Sequence, residues 1–115
     1  MSFLASAVIT ARVDPLLLRQ AVTNSPTNLL VWLSDALLAL QSIRADAFID
    51  ADTGEQVAVV DITALGDTIG LEAKWRAPLA DYVAWRAFQE DQQSGHHKED
   101  AAEAWARFVA QCKIL

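Results

Sequence analysis

The residues that could do chemistry are few, and most of them stand together: His96, His97, Lys98, Glu99 and Asp100 follow one another directly. Imidazoles beside carboxylates are the donor set for a transition metal or for acid–base work. Successive helical positions point about 100 degrees apart, so the two histidines cannot both face one ion, although His96 and Asp100 would share a face. That leaves too few ligands. Ser94-Gly95, just before, marks the run as a polar loop leading into a helix. The carboxylate pairs Asp50/Asp52 and Glu90/Asp91 fall at a turn and at a helix end, where solvated acids are ordinary. No phosphate-cradling glycine loop, nucleophile elbow or zinc-protease helix occurs, and Ser94 alone precedes the histidines closely. The single cysteine, Cys112, has no partner for a disulfide or a zinc site, so a reducing compartment is its natural setting. The expectation is a protein that is not an enzyme, with no catalytic residue, cofactor or metal.

If chemistry is absent, contact with other proteins remains, and the composition leans that way. The 115 residues suit one domain, residues 1–115, with 53% apolar and 21% charged side chains. An apolar share above the roughly 45–50% of an average globular chain points to surfaces buried against partners. Nine Lys and Arg against fifteen Asp and Glu give a net charge of −6, which opposes a sequence-independent grip on phosphates. The apolar stretches 29–33 and 36–40 are broken by Ser34 and Asp35, far short of the roughly 18 residues a membrane span requires. Met1 to Arg12 lacks the basic start of a secretory signal and reads as mature sequence.

The elements that would position these residues are mostly helical. Residues 1–13 fit either an extended arm or a helix: Val8, Ile9, Thr10 and Val13 favour the first, Leu4, Ala5 and Ala7 permit the second. Asp14-Pro15 is a helix-start signal, with a short helix to about Val22. Asn24-Ser25-Pro26 repeats it, and Leu29, Leu30, Trp32, Leu33, Ala36, Leu37, Leu40 and Ile43 then recur at helical spacing, predicting a helix from Pro26 to Arg44. Phe48-Ile49-Asp50, the turn Asp52-Thr53-Gly54 and the valines of 56–62 predict a β-hairpin whose second strand lies near Val57 to Asp61. Two strands are marginal alone, so the hairpin must lean on the helices or on a neighbouring subunit. Gly66 and Gly70 bracket a loop, 65–71. A third helix spans 72–93, secure from Pro78 to Asp91, with Pro78 at its first turn or at a kink, and a fourth runs from Lys98 to Lys113. The predicted fold is therefore a small bundle of about four helices, with a short hairpin between the second and third.

Tryptophan is the more telling residue type. Trp32 and Trp85 sit inside strong helical patterns and are expected in the core. Trp75, beside Lys74 and Arg76, fits either the core or a subunit contact, where aromatics and arginine are enriched.

At residues 71–91 the sequence reads LEAKWRAPLADYVAWRAFQED. Pro78, Leu79, Asp81-Tyr82-Val83, Arg86-Ala87-Phe88 and Asp91 resemble the core helix of the head-to-tail adaptor (connector, or head completion) proteins of tailed bacteriophages. Trp32, Leu33 and Asp35, within LVWLSDALLAL, are similar to that family's earlier helix. Ala101-Ala102, Trp105 and Phe108 are similar to its Ala-rich last helix, and Gln92 to His97 to the polar gap before it. The likeness covers about residues 26–110. The middle region, 46–71, is shorter than many members have, and the N-terminal segment does not align.

The resemblance implies a structural virion protein, made in the bacterial host cytoplasm and placed at the head–tail interface. It implies a homo-oligomeric ring of about twelve copies, docked on the portal protein, with a tail or stopper protein beyond it. DNA would pass through the channel only as cargo, and no membrane is involved. By the same analogy Gln111, Cys112, Lys113, Ile114 and Leu115 form a candidate portal-docking tail, although Ile114 and Leu115 could equally cap the helix against its own core. Two other readings remain open: a small acidic inhibitor of a host protein, and a metal-dependent enzyme built on His96 and His97.

Overall fold

The computed structural model describes residues 2–19, 26–50, 52–90 and 97–115. The chain is mostly helical, and its described residues form four helices and one small antiparallel strand pair. The first helix, α1, starts as Ala5–Val8, widens into a π-helical stretch at Ile9–Val13 and returns to α geometry at Asp14–Arg19. Helix α2 is Pro26–Ile43, α3 is Arg76–Glu90 and α4 is His97–Ile114.

The N-terminal arm and the first helix are thereby resolved into one element. Phe3–Leu4 is a two-residue strand, and the chain enters the helix directly after it. Asp14-Pro15 opens the α-helical stretch Asp14–Arg19, as the sequence suggested, but that stretch continues directly from the π-helical turn before it rather than from a loop. Proline lacks the N–H and its ring crowds the carbonyl four residues back. The π turn just ahead of it, where the Asp14 N–H donates to the Ile9 carbonyl, is the kind of widened register that accommodates such a residue. The expected end near Val22 and the Asn24-Ser25 cap lie outside the described residues.

Helix α2 ends one residue before the expected Arg44, and α4 exceeds its expected range by one residue at each end. Both follow from an unbroken apolar stripe. Helix α3 begins at Arg76 after a 3-10 turn, Ala73–Trp75, which settles Pro78 as a first-turn residue. Asp91 lies outside the described residues.

The hairpin forms where the turn signal put it, but its ladder is one bridge long. Ile49 pairs with Gln56, the Asp50 N–H donates to the Glu55 carbonyl, and the Val57 N–H donates to the Phe48 carbonyl. Gly54 takes φ +72° in the turn, a region that side chains with a Cβ avoid. Val57 to Asp61, expected as the second strand, gains no ladder partner. The regular pairing instead joins strand β1, Phe3–Leu4, to strand β2, Thr68–Ile69, with Phe3 opposite Ile69. The loop before β2 also closes the start of α1: the Ala5 and Ser6 N–H groups donate to the carbonyls of Asp67 and Leu65, meeting donors a helix start leaves unpaired.

One core joins these elements. Leu33, Ala36 and Leu40 of α2, Leu79, Val83 and Ala87 of α3, and Ala104 and Phe108 of α4 are fully buried. The closest association is α3 with α4, and α3 also packs on both α1 and α2. Buried alanines at 84, 87 and 104 let the backbones approach, as ridge-into-groove packing requires.

Candidate functional site

The residues singled out at 32, 35, 82, 86 and 108 come together around α3. Arg86 lies 3.4 Å from the Asp35 carboxylate and sits over the Trp32 ring, 5.9 Å from its centroid. Tyr82 meets Phe108 edge-on at 5.4 Å and Trp85 at 5.2 Å. Trp85 in turn packs on Trp105 at 4.5 Å. Trp32 is buried as expected, but Trp85 is only half-buried and Trp105 is 39% exposed. Trp85 has left the core because its helix face points along the α3–α4 seam toward solvent. Leu33, Leu79, Val83 and Phe88 are plain core side chains.

Asp81 is drawn into the protein, its side chain only 13% exposed. It accepts from Arg107 Nε at 3.0 Å and from Gln111 Nε2 at 2.9 Å, so one helix face of α4 clamps it. Burial pushes its carboxyl above the usual range, while the bonds from Arg107 and Gln111 and the charge of Arg12 pull the other way. Asp81, Arg107 and Gln111 line an open groove of about 540 Å³, floored by Ala11, Arg12, Pro15 and Leu16 of α1. The Oε1 atom of Gln111 is buried there without a hydrogen-bond partner. Sequence reading had named Asp81 and Gln111 for separate reasons and missed Arg12 and Arg107; the spacing of Arg107 and Gln111 by four was the available signal.

Trp75 is not offered to a neighbouring subunit. It is 2% exposed, with the Lys74 ammonium and the Arg44 guanidinium each 5.3 Å from its ring centroid. The cations that suggested a contact cover the ring from within the subunit. Arg76 donates to the Ala73 carbonyl, and Lys74 stays half-exposed beside Glu72.

The C-terminal residues are not a free tail either. Gln111 to Ile114 continue α4, and Arg44 donates to the Cys112 carbonyl at 2.6 Å, placing a cation at the negative end of the helix dipole. Cys112 is buried and its thiol is pushed up by that burial, which disfavours the reactive thiolate. Leu115 packs against the core, whereas Lys113 is exposed and Ile114 is 81% exposed. Core capping thus accounts for Leu115 and leaves Ile114 facing outward.

Two further acids, Asp50 and Asp67, have backbone partners. Asp50 accepts from the Asp52 and Thr53 N–H groups, and Asp67 from the Thr63 and Ala64 N–H groups, which hold both carboxyls below the usual range. Asp52 lines a small pocket of about 100 Å³ with Asp50 and Glu72. Among the described residues no group of acids, histidines and cysteine is arranged to hold a metal. His96, Ser94 and Asp91 lie outside the described residues, and His97 is the first residue of α4. No described helix is long and apolar enough to cross a membrane. No known protein family, curated protein or solved structure matches the chain.

Proposed function

We propose that the chain is a structural virion subunit of the head–tail adaptor type, forming a ring of about twelve copies beneath the portal and joining capsid to tail around the DNA channel. The reading rests on the sequence pattern between residues 26 and 110. What supports it is that motif pieces far apart in the chain meet on α3: Arg86 contacts Asp35 and Trp32, and Tyr82 contacts Phe108. Exposed apolar side chains would serve as the surfaces for neighbours. Val31 and Leu38 are exposed one heptad apart on α2, Leu18 on α1 and Ile114 at the end of α4, and such side chains gain by burial between subunits. The net charge of −6 suits a channel wall past which DNA slides without sticking.

In this reading Ile114, with Lys113 beside it, is the portal-facing end, and the exposed apolar residues of α1 and α2 are lateral. The test is to mix the purified chain with portal rings and weigh the product by native mass spectrometry. A closed ring of chain copies on the portal is expected, and Ile114→Asp should weaken that association at least about tenfold with the helical circular dichroism unchanged. A chain that stays solitary beside portal rings overturns the reading, as does one that instead binds a lone host protein as an inhibitor would.

A further inference from the structure

The middle of the chain holds a backbone edge that none of the described residues fills. Its ends are fixed: the Val57 N–H donates to the Phe48 carbonyl at 2.6 Å, and the Ile62 N–H donates to Ser34 Oγ at 2.8 Å. Between them, Ala58, Val59, Val60 and Asp61 make no backbone hydrogen bond with any described residue. Exposure alternates along the segment, with Val57 and Val59 half-buried against the core and Ala58 and Val60 outward. That is the two-residue period of a strand. Valine-rich backbone with unused donors and acceptors is a template for an added strand.

Charge decides what would fill it. Between Ala45 and Leu71 the sequence has six acidic residues, Asp46, Asp50, Asp52, Glu55, Asp61 and Asp67, and no lysine, arginine or histidine. Arg44 forms an ion pair with Asp46. Asp50 and Asp67 accept from backbone N–H groups and a hydroxyl, and among the described residues no side-chain cation pairs with either. A second copy would bring the same acids against this edge, and nucleic acid would bring phosphates, so both are repelled.

We infer that the Val57–Asp61 edge receives an extended, lysine- or arginine-bearing segment of a different protein, added as a β-strand beside the acidic hairpin. Main-chain bonds to the free edge would give affinity, and the acids at 55 and 61 would select basic flanks. Because both ends of the receiving segment are already tied down, little order is lost on binding. The inference stands whether or not the chain forms a ring, since it concerns a feature of the single subunit.

The probe is a synthetic peptide, Lys-Lys-Thr-Val-Thr-Val-Lys-Lys, added to the full chain while amide hydrogen exchange is followed by residue. Exchange at Ala58 and Val60 should slow by about tenfold or more at saturation, binding should weaken as salt rises, and a version with glutamate for every lysine should do nothing. In the chain, Val60→Pro should abolish the protection, and Asp61→Lys should weaken binding while leaving the helices intact. Lysine-peptide binding without protection at these amides overturns the inference, as would equal binding of the glutamate peptide, no binding at millimolar peptide, or protection of the same amides by self-association alone.

Discussion

Between Arg76 and Ile114 the chain is two helices whose side chains interlock: Tyr82 against Phe108, Trp85 against Trp105, Asp81 clamped by Arg107 and Gln111. Between Arg44 and Trp75 it is a bridge-long hairpin, an unpaired segment and a two-residue strand, tied down by single polar contacts such as Ser34 to Ile62 and Asp67 to Thr63. The first region spreads its stabilisation over many apolar contacts, each small. The second buries fewer side chains, Phe48, Ile62, Ile69, Leu71 and Trp75 among them, and holds its exposed stretches by a few bonds, so those stretches can open locally while the helices stay closed.

Trp75 is where the two regions are joined, and it carries the largest predicted effect. Its ring is buried at the foot of α3, under Lys74 and Arg44. Trp75→Ala should cost about 3–5 kcal/mol and lower the urea midpoint of the whole chain in a single transition. A purely local loosening of residues 44–75, with the global midpoint unmoved, would break the view that this residue belongs to the common core.

Ser34→Ala should act in the opposite sense, locally. Its hydroxyl accepts from the Ile62 N–H and lies within bonding distance of the Leu30 and Ile62 carbonyls. Removing it leaves a partly buried N–H unpaired, for a cost of about 1–2 kcal/mol. Amide exchange should quicken around residues 57–63, while the α3–α4 amides change only as much as global stability does. Equal quickening everywhere would mean that the middle region has no independent opening.

The same contrast explains what could be read from the sequence. Helices α2 and α4 were legible to within one residue because packing against a core imposes a period that recurs over four or five turns. The hairpin turn was legible from Asp52-Thr53-Gly54, whose chemistry is local. The pairing of Phe3–Leu4 with Thr68–Ile69 was not: two-residue strands carry no period, and their partner is set by tertiary packing. Asp14-Pro15 marked where α geometry begins but not the π-helical turn that leads into it, since proline fits a first turn and a widened turn alike. Lys74-Trp75-Arg76 left core and contact open because cations flank tryptophan both at interfaces and over a buried ring. The groove residues Asp81 and Gln111 were visible separately, but only the α3–α4 alignment brings them together with Arg12 and Arg107.

The smallest effect predicted is also the one that separates the two regions by sign. Asp50 and Asp67 titrate below the ordinary carboxyl value of 3.8 because backbone N–H groups hold their charged forms. Their contribution to folding is present above that value and is lost as pH falls through the lower, folded one. Asp81 titrates above it because burial disfavours its charge, so its contribution is full below 3.8 and is lost as pH rises through the folded value. Acidification should therefore loosen the hairpin and the loop before β2 while slightly tightening the α3–α4 seam, seen, relative to the slower intrinsic exchange at low pH, as protection lost at the amides of residues 52, 53, 63 and 64 and kept at the seam. Asp81→Asn keeps an acceptor for Gln111 and removes the buried charge, so at neutral pH it should leave stability within about 1 kcal/mol of the parent and erase the seam's share of the pH dependence. A variant whose seam still responds to pH would place that titration on another group, and the two regions would no longer differ in the way their carboxylates are held.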